Sequence, residues 1–151
     1  MADRFQESED IGRNLFKKWV PTQFPVDKYK VEYQFTKDKY AAYDVFLTVI
    51  NLKSRKQKDY VVEIKVRSSK YGSQLLEQDK HKRLLLQADN EDAGCLYVCF
   101  TNEVVLPFDL HKIPQPVWHS QQLIHNTCDP SKGDKQKMIT YIPNKFANFI
   151  F

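Results

Sequence analysis

The chain has 151 residues, enough for one domain that hides about two-thirds of its unfolded surface in a single core. With 42% hydrophobic residues, 28% charged residues and only 4 glycines, it excludes collagen-like, low-complexity and disordered classes. The formal net charge is +4, from 23 Lys and Arg against 19 Asp and Glu. No stretch approaches the roughly 18–20 uninterrupted apolar residues of a membrane helix. The opening MADRFQESED is acidic where a secretory leader is basic and then apolar. Cys95, Cys99 and Cys128 fall in no finger-like spacing, which points to a reducing, cytoplasmic compartment.

The cations are clustered. Lys53, Arg55, Lys56, Lys58, Lys65, Arg67 and Lys70 stand against only Asp59 and Glu63 in the same stretch. Lys80-His81-Lys82-Arg83 forms a second knot, and Lys132, Lys135 and Lys137 a third. Such clusters can neutralise phosphates and release counterions, so nucleic acid is a reasonable partner and a membrane is not expected; the ordinary alternative is solvated turns and helix faces.

In chain order, residues 3–19 predict a helix, with Phe5, Gly12, Leu15, Phe16 and Trp19 on one side and Pro21 and Pro25 closing it. Residues 31–35 alternate as a strand, and 37–39 form a polar turn. Residues 43–50 and 60–67 are β-prone runs joined by the basic loop 51–59. After a turn at 68–70, residues 71–88 carry a helical pattern with an inward stripe of Tyr71, Leu75, Leu85 and Leu86. Residues 95–100 suit a buried central strand, and 104–110, 117–119 and 138–142 are short strand candidates. A single α/β or α+β domain over 1–151 follows, with its core in 3–101 and accessory strands, or a recognition or dimer lobe, in 102–151.

The most informative residues are charges inside strands. Tyr60, Val62, Ile64 and Val66 make one apolar face, so Glu63 and Lys65 lie side by side on the other, flanked by Val61 and Arg67. Asp44 is the lone acid at the start of the preceding apolar run. In an antiparallel hairpin it would converge with Glu63. Unpaired charges in a packed sheet cost several kcal/mol, so this grouping asks for a reason. A hard divalent cation supplies one: Mg²⁺ takes one or two carboxylates together with waters and phosphate oxygens. The plain alternative is a hairpin whose Glu–Lys pair faces water.

Helix, strand with Asp44, strand with Glu63-Ile64-Lys65, helix, strand: this order resembles the PD-(D/E)XK nuclease superfamily, with its restriction-endonuclease-like fold. The resemblance rests on Tyr43-Asp44-Val45-Phe46-Leu47 and Val61-Val62-Glu63-Ile64-Lys65-Val66-Arg67, and spans roughly residues 3–101. Tyr43 stands where the superfamily pattern has proline. The resemblance implies a central mixed β-sheet flanked by helices. It further implies metal ligation by Asp44, Glu63 and the Ile64 carbonyl, with Lys65 as catalytic lysine, Mg²⁺ as cofactor and Mn²⁺ as a substitute. A carboxylate on the first helix fits Glu9, and polar groups on the second fit Gln78 and Lys82. Arg67, Lys82 and the loop cations Lys53, Arg55 and Lys56 would hold the phosphate backbone of DNA, with RNA left open. A stand-alone chain of this size resembles a junction resolvase or repair-type endonuclease, a class that often works as homodimers. The alternative is a non-catalytic nucleic-acid-binding or assembly module that retains the fold.

Other chemistries find no support. His81, His111, His119 and His125 are too scattered for a zinc signature, and Cys95 and Cys99 lie in an apolar strand where inert thiols are usual. Trp118 in Trp118-His119-Ser120 is expected to pack, and 131–135 to form an exposed turn.

Overall fold

The computed structural model describes residues 4–38, 40–67, 72–123 and 135–151. The sequence expectations at Asp3, Lys39, 68–70, Tyr71, His125, Cys128 and 131–134 lie outside the described residues. The elements are α1 (Arg4–Gln23), β1 (Tyr29–Phe35), β2 (Val45–Asn51), β3 (Gln57–Val66), β4 (Ser73–Glu77), α2 (Gln78–Asn90), β5 (Gly94–Phe100), β6 (Val105–Asp109), β7 (His119–Leu123) and β8 (Lys135–Pro143), followed by a 3₁₀ turn at Asn144–Phe146.

A five-stranded sheet runs in the order β1-β2-β3-β5-β6. All its pairs are antiparallel except β3 with β5, so it is a mixed central sheet, as expected from the sequence. β4, β8 and β7 form a second, three-stranded antiparallel sheet in the order β4-β8-β7.

One face of the central sheet packs on α1. Phe16, Trp19, Val20 and Phe24 meet Val45, Leu47 and Val49 of β2, Tyr60 and Val62 of β3, and Leu96, Val98 and Phe100 of β5. Gly12 makes this approach close: a Cβ there would lie 3.0 Å from the Ile64 side chain. From the far end of the chain, Phe149 and Phe151 return to the same core, where Phe149 meets Tyr60 edge-on at 5.4 Å. The opposite face packs Val61, Cys95, Tyr97 and Cys99 on Leu84 and Ala88 of α2, Leu76 of β4 and Phe108 of β6. Burial pushes both the Cys95 and Cys99 thiols up to about 12, which makes them inert. Trp118 packs beside this second core and against His81, as expected.

Two boundaries differ from the sequence reading. α1 continues past Trp19 and includes Pro21 in its final stretch. The Thr22 hydroxyl donates to the Trp19 carbonyl at 2.6 Å and the Phe24 N–H to the Val20 carbonyl at 2.8 Å, so that end is secured by other bonds and by the buried Phe24. Residues 73–77, assigned to the second helix, are a strand. Gln74 and Leu76 are buried in alternation, and β4 pairs with β8 from Ser73↔Pro143 to Glu77↔Ile139. A partner some seventy residues away decides that segment, overriding a helix-prone composition. The inward face of α2 is therefore Leu84 and Ala88, while Leu86, expected inward, is exposed.

Candidate active site at the open end of the β2–β3 hairpin

β2 and β3 pair from Ile50↔Gln57 to Val45↔Val62. The Asp44 N–H donates to the Val62 carbonyl at 2.8 Å, which continues the ladder by one step and sets Asp44 across from Glu63. The Asp44 carboxylate then turns along β3, where Oδ2 accepts the Ile64 N–H at 2.7 Å. Ile64, expected to contribute its carbonyl, thus has its amide committed to orienting Asp44, while its side chain packs on the α1 side.

Glu63 and Val61 share the α2-facing side of β3, and the Glu63 side chain is only 13% exposed. Lys80, from the first turn of α2, reaches it with Nζ 3.3 Å from Oε1. Lys65 follows two residues on and reaches solvent. Glu9, one turn before Arg13 on α1, is ion-paired to Arg13 and adds its negative charge to the field at Asp44. Arg13 itself donates to the Thr36 carbonyl at 2.6 Å and stacks over Phe35. Both helices therefore bring a charged residue to the same end of the hairpin.

Burial, and then the charge of Asp44, raise Glu63 to about 7, although Lys80 and Lys65 pull it down. Asp44 is also raised, chiefly by burial, against the Ile64 amide and Lys80, while Glu9 pushes it further up. Lys65 is pushed below its ordinary value, first by desolvation against the sheet and then by the Arg67 cation. These are the directions expected where two acids share a poorly solvated site beside a lysine whose stem lies against the sheet. Among the described residues no group of three or more His, Cys, Asp and Glu gathers closely enough for an all-protein metal cage. Two carboxylates suit a cation that keeps most of its waters.

Not every expected contact belongs here. Arg67 is turned to internal bracing: its guanidinium donates to the Leu75 carbonyl at 3.2 Å and the Tyr97 hydroxyl at 3.3 Å. Gln78 opens α2 and is half-buried, whereas Lys82 is exposed, beyond the residues that act on either acid. Lys53, Arg55 and Lys56 occupy the turn at the opposite end of the hairpin. The length of β2, seven residues at roughly 3.3 Å each, separates them from Asp44. The structure does not bring them to the acids.

Three residues at the site escaped the sequence reading. Lys80 lay within the recognised cationic knot, but the misplaced helix start put Lys82 on the inward stripe instead. Arg13 gave no signal beyond its i, i+4 spacing from Glu9. Glu77, whose charge acts on Lys65, is ion-paired to Lys137 of β8 at 3.0 Å, a contact that only the second sheet creates.

No helix among the described residues is long and apolar enough to cross a membrane. No family model and no curated protein matches the sequence. Among solved structures, the chain is similar to Hjc, a Holliday junction resolvase from the archaeal hyperthermophile Archaeoglobus fulgidus. The identity is 12%, the match covers 85% of this chain and 86% of that one, and the TM-score is 0.49.

Proposed function

We propose that the chain is a divalent-metal-dependent endonuclease that hydrolyses phosphodiester bonds of DNA. The observation that carries this reading is the opposed pair Asp44 and Glu63. Both acids are raised by burial and by negative charge nearby, with Lys65 on the same strand face as Glu63. A buried like-charged pair is costly for folding and is relieved by a hard cation, so the donor set fits Mg²⁺ or Mn²⁺. When bound, such an ion supplies Lewis-acid charge at the phosphate and lowers the pKa of a coordinated water.

The chain's own residues divide the remaining tasks. Asp44, held by the Ile64 amide, and Glu63 would provide the ligand oxygens. The Lys65 ammonium orients the attacking water or offsets charge developing on the phosphate oxygens. Lys80 balances Glu63 until substrate and ion arrive. Glu9, restrained by Arg13, adjusts the negative charge at Asp44.

The test is a cleavage assay on single-stranded, duplex, flap and four-way-junction DNA, with Mg²⁺, Mn²⁺ or EDTA. The expected result is metal-dependent cutting that disappears in both Glu63→Ala and Lys65→Ala. Salt-dependent DNA binding without cutting would replace this reading with a non-catalytic binding module.

A further inference from the structure

The turn that joins β2 to β3 stands about 20 Å from Asp44, by the rise of β2. Lys53, Arg55 and Lys56 on this turn are all exposed. Lys28 is beside them, since its carbonyl accepts the Leu52 N–H at 3.0 Å, and Lys58 follows near the start of β3. Among the described residues, none of these five cations has an ion-pair partner. Asp59, the acid next to Lys58, is engaged by the Thr48 hydroxyl at 2.7 Å.

The turn is rigid without help from its cations. Asn51 Oδ1 accepts the Lys53 and Ser54 N–H groups at 3.0 Å, and the Asn51 carbonyl accepts the Arg55 N–H at 2.8 Å. Two ammonium groups are parked over rings, Lys56 at 5.4 Å from Phe151 and Lys58 at 5.3 Å from Tyr60. Arg55 has φ 63°, a backbone region that suits glycine or asparagine. Folding alone would favour one of those residues here, yet the position carries an unpaired guanidinium. Backbone strain without an internal benefit points to an external one.

We infer that this turn is a second phosphate-contact surface, which extends the grip on a duplex about 20 Å beyond Asp44 and Glu63. The identity of the polyanion as DNA rests on the nuclease reading. A duplex presents a dense line of charge that suits several cations on one protrusion. At about 3.4 Å of rise per base pair, about six base pairs separate the two surfaces.

Binding is measured in EDTA over a range of salt, comparing wild type with the triple variant Lys53→Gln, Arg55→Gln, Lys56→Gln on four-way-junction DNA. The triple variant should bind more weakly, with the slope of log K against log salt reduced by about 2–3. Arg55→Gly, which also relieves the backbone, should fold at least as well and reduce the slope by about 1. Unchanged affinity and slope would overturn the inference. A changed slope in a protein that cuts nothing keeps this surface and removes the nuclease reading. Cutting with an unchanged slope does the reverse.

Discussion

The two faces of the central sheet are built on different terms. On the α1 side the packing is unbroken, and aromatic rings follow one another from Phe16 through Trp19, Phe24 and Phe149, the first pair tilted and the next two edge-on. On the α2 side Val61 is buried, and the same strand then places Glu63 and Lys65 where the other face has Val62 and Ile64. One face is organised for stability. The other gives up stability at its end to hold three charges together, and the raised pKa values of Asp44 and Glu63 register the cost.

Substitutions on each face should therefore fail in different ways. Phe16→Ala should cost about 3–5 kcal/mol, read from denaturant unfolding, because it empties a fully buried ring site beneath β2 and β3. Lys65→Ala should unfold close to wild type and Glu63→Ala, which removes a buried charge, no more readily, yet both should cut DNA at least about 10²–10³-fold more slowly. If Lys65→Ala unfolded as readily as Phe16→Ala, the distinction between the faces would disappear.

The next effect is a pH dependence of stability. Glu63 titrates near 7 in the folded chain and near 4.5 when unfolded, so the folded state binds the proton more tightly. Its contribution favours folding at low pH and is lost as pH rises from about 4.5 to about 7. The magnitude is about 3 kcal/mol without metal. Glu63→Gln should flatten that decline in urea-unfolding midpoints taken across the window. Asp44→Asn is the smallest effect. It keeps an acceptor for the Ile64 amide and removes the opposing charge, so metal-free stability should rise by about 1 kcal/mol. A loss of that size in thermal or urea unfolding would mean that the carboxylates are already well compensated.

Much of this contrast was legible in the sequence. Alternation about Glu63 separates the two faces, and the apolar run after Asp44 aligns the acids across the hairpin. Glu9 lies at the edge of the apolar stripe of α1, where it pairs with Arg13 and its charge acts on Asp44. The α2 contacts were not legible, because the pairing of β4 with β8 is long-range and shifts the start of the helix. That shift exchanges Lys82 for Lys80 at Glu63. The turn cations show another limit: Lys53, Arg55 and Lys56 are near Glu63 in sequence, but a hairpin places its turn and its open end at opposite extremes. Arg67, expected to hold the phosphate backbone, instead donates to the Leu75 carbonyl and the Tyr97 hydroxyl, which only the folded chain brings to it.

The most direct test of why the α2 face carries these charges is Mg²⁺ calorimetry on the DNA-free protein near pH 7, with wild type and Glu63→Gln side by side. Wild type should bind saturably, with proton release that falls as pH rises above about 7, and the variant should bind much more weakly. Equal binding to both proteins, or none to wild type even with DNA present, would contradict a metal site at Asp44 and Glu63.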